Sequence, residues 1–379
     1  MSASTIEVKP IALEVKRERS AFIKFPWQIY RNDPNWVPPL IMDMETRLNR
    51  KHPFFEYGDM QLFMAYRGTE AVGRIAAVTN SLHFKEHGEN AGFFGFFECI
   101  DDQAVANALF DTAKAWLKEK GVAKIIGPAS PSINYDYGLL VEGFDDPPRL
   151  LMTYNPEYYI KLIEGYGFAR IKQLYAWKID RSNMMANEKL TRVAIAAKAR
   201  SGVEIRKINK KKMKEELQVF KMLYNKGWEK NWGSIPFTDR EMDAMASELA
   251  PLVNPDLALF AYIDGKPVGV ALAIQDYNAI IKDFDGKLFP FNVLKLLVFP
   301  NKKKLTWIRV LVLGLLPEYR GRGLDAVLYY ELMQAGEKLE HFKHGEGSWV
   351  LEDNTALNRA MEVANGKIYK RYNMYEIAM

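Results

Sequence analysis

The sequence holds a single cysteine, Cys99, in 379 residues, so no intramolecular disulfide can form and a reducing compartment is the expected setting. Cys99 follows Phe93-Phe-Gly-Phe-Phe97 and reads as a small buried hydrophobe rather than a nucleophile. Long apolar runs are missing as well: stretches such as Val310 to Pro317 are far too short to cross a bilayer, and the start Met1 to Lys9 has no signal-peptide core. No excess of one charge exists, with 52 basic against 47 acidic residues and a net charge of +5, which gives little to hold nucleic acid. The short runs Lys210 to Lys212 and Lys302 to Lys304 read as solvated surface. The chain also lacks a Gly-x-Ser-x-Gly elbow, which leaves covalent acyl-enzyme chemistry without a nucleophile, and no metal site is expected. Together these absences describe a cytoplasmic chain with no membrane partner.

What is present is enough for two domains. The length exceeds that at which one core keeps growing, and 48% apolar with 13% aromatic residues can fill two cores. An internal repeat agrees: Ala65-Tyr-Arg-Gly-Thr-Glu-Ala-Val-Gly73 and Ala261-Tyr-Ile-Asp-Gly-Lys-Pro-Val-Gly269 keep Ala-Tyr and Val-Gly at one spacing, and Asn155 precedes Gly167 as Asn354 precedes Gly366. Each half reads in the same order, β-α-α-β-β-β-α-β-α-β. In the first, a helix from Gln103 to Lys120 stops at Gly121, a short strand spans Lys124 to Gly127, and Phe168 to Ile179 reads as a hairpin. In the second, a strand from Thr306 to Leu315 leads to a helix from Leu324 to Leu339, then a strand to Leu351, a helix from Thr355 to Ala364 and a final hairpin. Residues 181–202 carry few large apolar side chains and read as a linker helix between copies at 1–180 and 203–379.

The run from Val312 to Leu328 carries the chemistry. It reads as an apolar strand, the turn Pro317-Glu-Tyr-Arg-Gly-Arg-Gly323 and a helix start, a combination that holds a diphosphate. Unpaired N–H groups converge at the helix N-terminus, the dipole favours negative charge there, and glycines let the main chain come close. Arg320 and Arg322 add charged donors. The turn lacks the Lys-Ser/Thr ending of a P-loop and is too short for a dinucleotide fingerprint, so a nucleoside triphosphate and NAD are disfavoured. The first half has Cys99-Ile-Asp-Asp-Gln-Ala104 at this point, with Asp101 and Asp102 in place of the arginines, and two carboxylates repel a pyrophosphate.

Arg320-Gly-Arg-Gly-Leu324 resembles motif A of the GNAT superfamily of N-acetyltransferases, which grips the pyrophosphate of coenzyme A; Asp325 departs from the small residue usual after it. The resemblance implies an α/β (α+β) chain of two GNAT-like domains, each a mixed, mostly antiparallel sheet with a central splayed parallel strand pair and flanking helices. The first copy is the degenerate one. It further implies acetyl-CoA or another acyl-CoA bound by Leu315, Leu316, Arg320, Gly321, Arg322, Gly323, Leu324 and Asn354. A backbone N–H near Leu315 would stabilise the oxyanion formed as a small-molecule or peptide amine attacks the thioester. Glu352 and Glu229 are the candidate bases, whereas Met361 stands where the family often places a tyrosine acid. Asn225, Trp228, Asn231 and Trp232 fall in the segment that covers the acceptor, although the helical spacing of the tryptophans also suits a core. Two other readings stay open: a Fem-like transferase that takes an aminoacyl group from tRNA, and a non-catalytic protein that binds CoA or acyl-CoA.

Overall fold

Ten and eleven residues rich in apolar side chains, Gly58–Arg67 and Glu70–Asn80, flank Gly68, whose φ of +63° turns the chain back as a hairpin in this computed structural model. The structure describes residues 5–298 and 300–379; the first four residues of the Met1 to Lys9 start lie outside them. Two compact units result. The first comprises residues 1–174, 281–292 and 370–379, and the second 175–280 and 293–369.

Unit one runs through β1 (Ile6–Ile11), the helices α1 (Lys16–Lys24), α2 (Pro26–Ile29) and α3 (Ile41–Arg47), the hairpin strands β2 (Gly58–Arg67) and β3 (Glu70–Asn80), α4 (Ser81–His87) and β4 (Ala91–Cys99). It continues with α5 (Gln103–Glu119), β5 (Lys124–Gly127), β6 (Ala129–Ser130), β7 (Asp136–Tyr137), β8 (Leu139–Glu142) and α6 (Tyr159–Tyr166). The strands lie in the order β1-β2-β3-β4-β5, antiparallel except for the parallel pair β4 and β5. Val105, Leu109, Phe110, Ala113 and Leu117 form the buried stripe of α5 and pack on Phe94, Phe97 and Ile125, and Cys99 is fully buried among them as the sequence implies. Burial pushes the Cys99 thiol far above its ordinary pKa, which rules it out as a thiolate nucleophile.

Unit two contains α7 (Arg181–Met185), α8 (Glu188–Ser201), β10 (Glu204–Lys207), α9 (Met213–Trp228), α10 (Asp239–Leu249), β11 (Ala258–Ile263), β12 (Lys266–Gln275), α11 (Asn278–Ile281), α12 (Asn292–Leu297), β13 (Trp307–Leu315), α13 (Leu324–Glu337), β14 (His344–Leu351) and α14 (Thr355–Val363), though α11 and α12 each straddle a unit boundary. Its sheet runs β10-β11-β12-β13-β14, again with one parallel pair, β13 and β14. Leu324, Val327, Leu328 and Leu332 of α13 pack on Ala271, Ile308 and Leu315, and Leu223 of α9 packs on Val270 and Val312.

The long strands β9 (Ala169–Asp180) and β15 (Lys367–Ala378) correct two expected hairpins: each is one unbroken strand. The units therefore differ from halves cut at 180 and 203. The Tyr175–Asp180 end of β9 belongs to unit two, and the last ten residues return to unit one, where Tyr375 to Ala378 pair antiparallel with Gly127 to Lys124. Lys370 is fully buried there, its ammonium donating to the carbonyls of Gly143, at 2.6 Å, and Asp146. Residues 181–202 are no linker either. They form α7 and α8 inside unit two, with Ala194 and Ala197 of α8 buried in its core.

One buried group in unit one makes stability depend on pH. His52 is buried, its Nδ1 accepts from Phe54 N–H, and desolvation with Arg47 nearby lowers its pKa from 6.5 to about 4. Between those values the unfolded chain binds the proton and the folded one does not, so stability falls as pH falls from about 6.5 towards 4. His52→Gln is expected to remove about 3 kcal/mol of that acid sensitivity, read as a flatter urea-midpoint profile across the window. A profile unchanged by the substitution would locate the acid sensitivity elsewhere.

Candidate active site

β13 carries an extra residue against β12, because Leu272 faces Val312 while Ala273 faces Val310, leaving Leu311 as the bulge. Its parallel ladder with β14 runs only from Trp307 and His344 to Val310 and Gly347, so the strands part beyond that point. Bulge and splay leave the Leu311 to Leu315 end of β13 outside the ladder. Gly314 exists for a packing reason: a Cβ there would lie 2.3 Å from the Trp228 ring, which is stacked on Tyr224 with centroids 4.9 Å apart. Trp228 is thus part of the wall between α9 and β13. Asn225 is structural as well, bonding the main chain of Phe237 through both ends of its amide.

The chain then turns through Arg320 to Gly323 into α13. Gly321 and Gly323 take φ of +72° and +80°, the left-handed region that only glycine enters without strain. Gly323 is the N-cap residue, and no side chain caps the helix, so its first N–H groups keep their capacity for an anion. A Cβ at Gly321 would meet nothing within 4 Å, which makes the turn open rather than packed. Asp325, the one acid in the first turn of α13, is exposed.

The two arginines divide their work. Arg320 donates to the carbonyls of Leu315, at 3.3 Å, and of Gly227, and so ties the strand end to the end of α9. Arg322 is exposed, with its guanidinium 5.1 Å above the Tyr319 ring, and keeps its donors for solvent or ligand. Arg200 supplies a cation that the sequence reading missed, donating to Arg322 O at 3.4 Å from α8. Ala197 of the same helix would sit 3.0 Å from a Cβ on Gly323. Only a register of small residues on α8, Ala194 and Ala197, hinted that this helix packs beside the turn.

The remaining candidates are spread through unit two. Asn354 caps α14 by accepting from Leu357 N–H at 3.2 Å. Glu352 is half-buried just after β14, and Glu229 is exposed at the end of α9. Met361 is buried against Gly347, so the position often held by the family's acid carries a packing residue. In its place stands a polar cluster where β13 and β14 separate: buried Glu346 accepts from Ser348 Oγ at 2.5 Å and from the Tyr369 hydroxyl, and Arg309 Nε lies 3.3 Å away. Tyr369 reaches this cluster from β15.

Unit one has the same bulge and splay but a closed cleft. Its ladder ends at Phe93 and Ile126, and Phe96 and Phe97 form the bulge opposite Ile75. Just past that point β6 lies against β4: Phe96 N–H donates to Ser130 Oγ at 2.8 Å, and a Cβ on Gly95 would be 2.0 Å from Ala129 O. The helix start is occupied too. Asp102 caps α5 by accepting from Ala104 N–H at 2.9 Å and pairs with Arg67 at 2.7 Å.

A bulged strand, a splayed parallel pair and a strand-turn-helix crossover, found twice, describe a tandem GNAT-like fold. Among solved structures the chain is similar to a tandem GNAT protein from the clavulanic acid biosynthesis pathway, with a TM-score of 0.58 at 12% identity over 99% of this chain and 98% of that one. It is also similar to a probable N-acyltransferase from Enterococcus faecalis V583, with a TM-score of 0.53 at 10% identity over 99% and 73%. No family model matches the sequence. Among curated proteins it is 36% identical to Protein YghO of Escherichia coli (strain K12) over 95% of this chain and 93% of that one. It is 33% identical to the bacterial ceramide synthase of Caulobacter vibrioides over 100% and 99%. The chain belongs to the family of these two proteins.

Proposed function

We propose that the chain is an acyl-CoA-dependent N-acyltransferase with its chemistry in unit two. The observation that carries this reading is the uncapped start of α13, entered through two left-handed glycines at the end of a bulged and splayed strand. The amides of Gly321 to Leu324 and the guanidinium of Arg322 would hold the pyrophosphate of the acyl-CoA, while Arg320 fixes the end of β13 from behind, beside Leu315 and Leu316. The acyl-CoA supplies an activated thioester. Beside it the free main chain of β13 orients the pantetheine arm, and a backbone N–H near Leu315 stabilises the oxyanion. The amine nitrogen bonds to the thioester carbonyl carbon, the C–S bond breaks, and the nitrogen loses a proton as the departing sulfur gains one. Glu352 is the proposed base, with Tyr369 and Glu346 as the groups that pass the proton; Glu229 is a weaker choice because it is exposed at the end of α9.

The full-length match to a ceramide synthase supports an amphiphilic acceptor, a long-chain amino alcohol, over a peptide, and a fatty acyl donor over acetyl-CoA. Incubating the protein with a long-chain amino alcohol and acetyl-CoA, medium-chain or long-chain acyl-CoA, with free thiol release as readout, tests both choices. Amine-dependent thiol release that grows with acyl length is expected. Tight CoA binding with no turnover for any amine would instead favour a non-catalytic CoA-binding protein, and turnover only with aminoacyl-tRNA a Fem-like transferase. Tyr369→Phe is expected to lower kcat about a hundredfold with CoA affinity kept, the usual size of a general acid–base contribution. Unchanged kcat would take Tyr369 out of the proton path.

A further inference from the structure

The structure exposes an unusual run of apolar side chains between residues 289 and 298. Phe289 and Phe291 are 61% and 73% exposed, and Leu294, Leu297 and Val298 are 48%, 45% and 56% exposed. These five belong to one ten-residue stretch, and among the described residues the whole chain has only eight other large hydrophobics so exposed. Leu294, Leu297 and Val298 share a face at helical spacing on and just after α12, while Leu296 turns inward and is buried. Water-facing phenylalanines of this kind are costly for a monomer without a use.

The charge around them says what the use is. Lys287, Lys295, Lys302, Lys303 and Lys304 are all exposed, and no acidic residue occurs from Gly286 to Pro317. These five exposed lysines alone equal the net charge of the whole chain. A second copy docking by two-fold symmetry would bring identical lysine sets together, which is repulsive. Lysine is also depleted at protein–protein contacts. An apolar ridge edged by lysines instead matches an anionic lipid surface, where rings enter the acyl boundary and ammonium groups meet phosphates.

We infer that Phe289 to Val298, with its flanking lysines, is a membrane-surface anchor that seats the protein on anionic bilayers. No helix among the described residues is long and apolar enough to cross a membrane, and a contact lying in the interface needs none. The short apolar runs that exclude a span leave a surface contact open. This inference stands apart from the proposed reaction, since binding is read without any turnover.

The test is sedimentation of the full chain with vesicles of phosphatidylglycerol and phosphatidylcholine, or of phosphatidylcholine alone, at several salt concentrations. Binding to the anionic vesicles that weakens with salt is expected. Phe289→Ser with Phe291→Ser should lower partitioning at least about tenfold, since two rings no longer enter the apolar layer. Lys302→Glu with Lys303→Glu and Lys304→Glu should lower it at least about a hundredfold, at about fivefold for each lysine near the surface. Both variants change exposed side chains, and an unchanged melting temperature shows that they fold. Absence of binding to anionic vesicles, or equal binding by wild type and both folded variants, overturns the inference. So does a dimer in sedimentation velocity that the phenylalanine variant dissociates, which would assign the ridge to a second copy.

Discussion

Arg322→Glu is expected to raise the dissociation constant for CoA about a hundredfold, roughly 3 kcal/mol, because a charge-assisted bond to phosphate is replaced by repulsion. The effect should be confined to binding. Arg322 is exposed, with its guanidinium over the Tyr319 ring, so the melting temperature should stay near that of wild type. Arg320→Glu would be a poorer test, since Arg320 holds the carbonyls of Leu315 and Gly227 and its loss would disturb the strand end as well. Asp325→Asn should move affinity the other way, as it removes the one carboxylate in the first turn of the same helix. Isothermal calorimetry reads both. Equal affinity in wild type and Arg322→Glu would mean that the turn does not hold the pyrophosphate, and the transferase reading would lose its main support.

The phosphate turn was legible because its physics is local. Two glycines at fixed spacing after an apolar strand announce positive φ and close backbone approach, and the structure gives +72° and +80° at those two positions. Asp102 was legible for the same reason, as a carboxylate at the turn position where the second half has arginines. The exchange of strands was not. β9 and β15 each contain a regular run with no Gly or Pro between Ala169 and Asp180 or between Lys367 and Ala378, and the expected hairpins had no turn to make. Alternating apolar residues specify a strand but leave its partner open, so the return of residues 370–379 to unit one could not be read from them. α8 was misjudged because its buried face is alanine, which looks like a solvated helix by hydrophobicity alone. The Glu346, Ser348, Tyr369 and Arg309 cluster joins three strands and has no linear spacing to find.

Gly95→Val is expected to cost about 3 kcal/mol or more, because the new Cβ would overlap a main-chain oxygen that no rotamer can move aside. That oxygen belongs to Ala129, 2.0 Å from the position the Cβ would take, and Ser130 Oγ lies 2.9 Å from it. Gly121→Ala is the control, since Gly121 has φ of +74° with open space around it and should cost only about 1 kcal/mol of backbone strain. Urea denaturation of both variants separates a filled cleft from a general intolerance of side chains at glycine. Equal losses would show that β6 yields easily and that unit one is not sealed. A further consequence follows for ligand binding: even with β6 displaced, Asp102 still occupies the N–H groups at the start of α5 and places a carboxylate where a pyrophosphate would sit. CoA titrated into Gly95→Val should therefore still bind at one site per chain, and a second site would mean that β6 alone, without the Asp102 cap, keeps the cofactor out of the first copy.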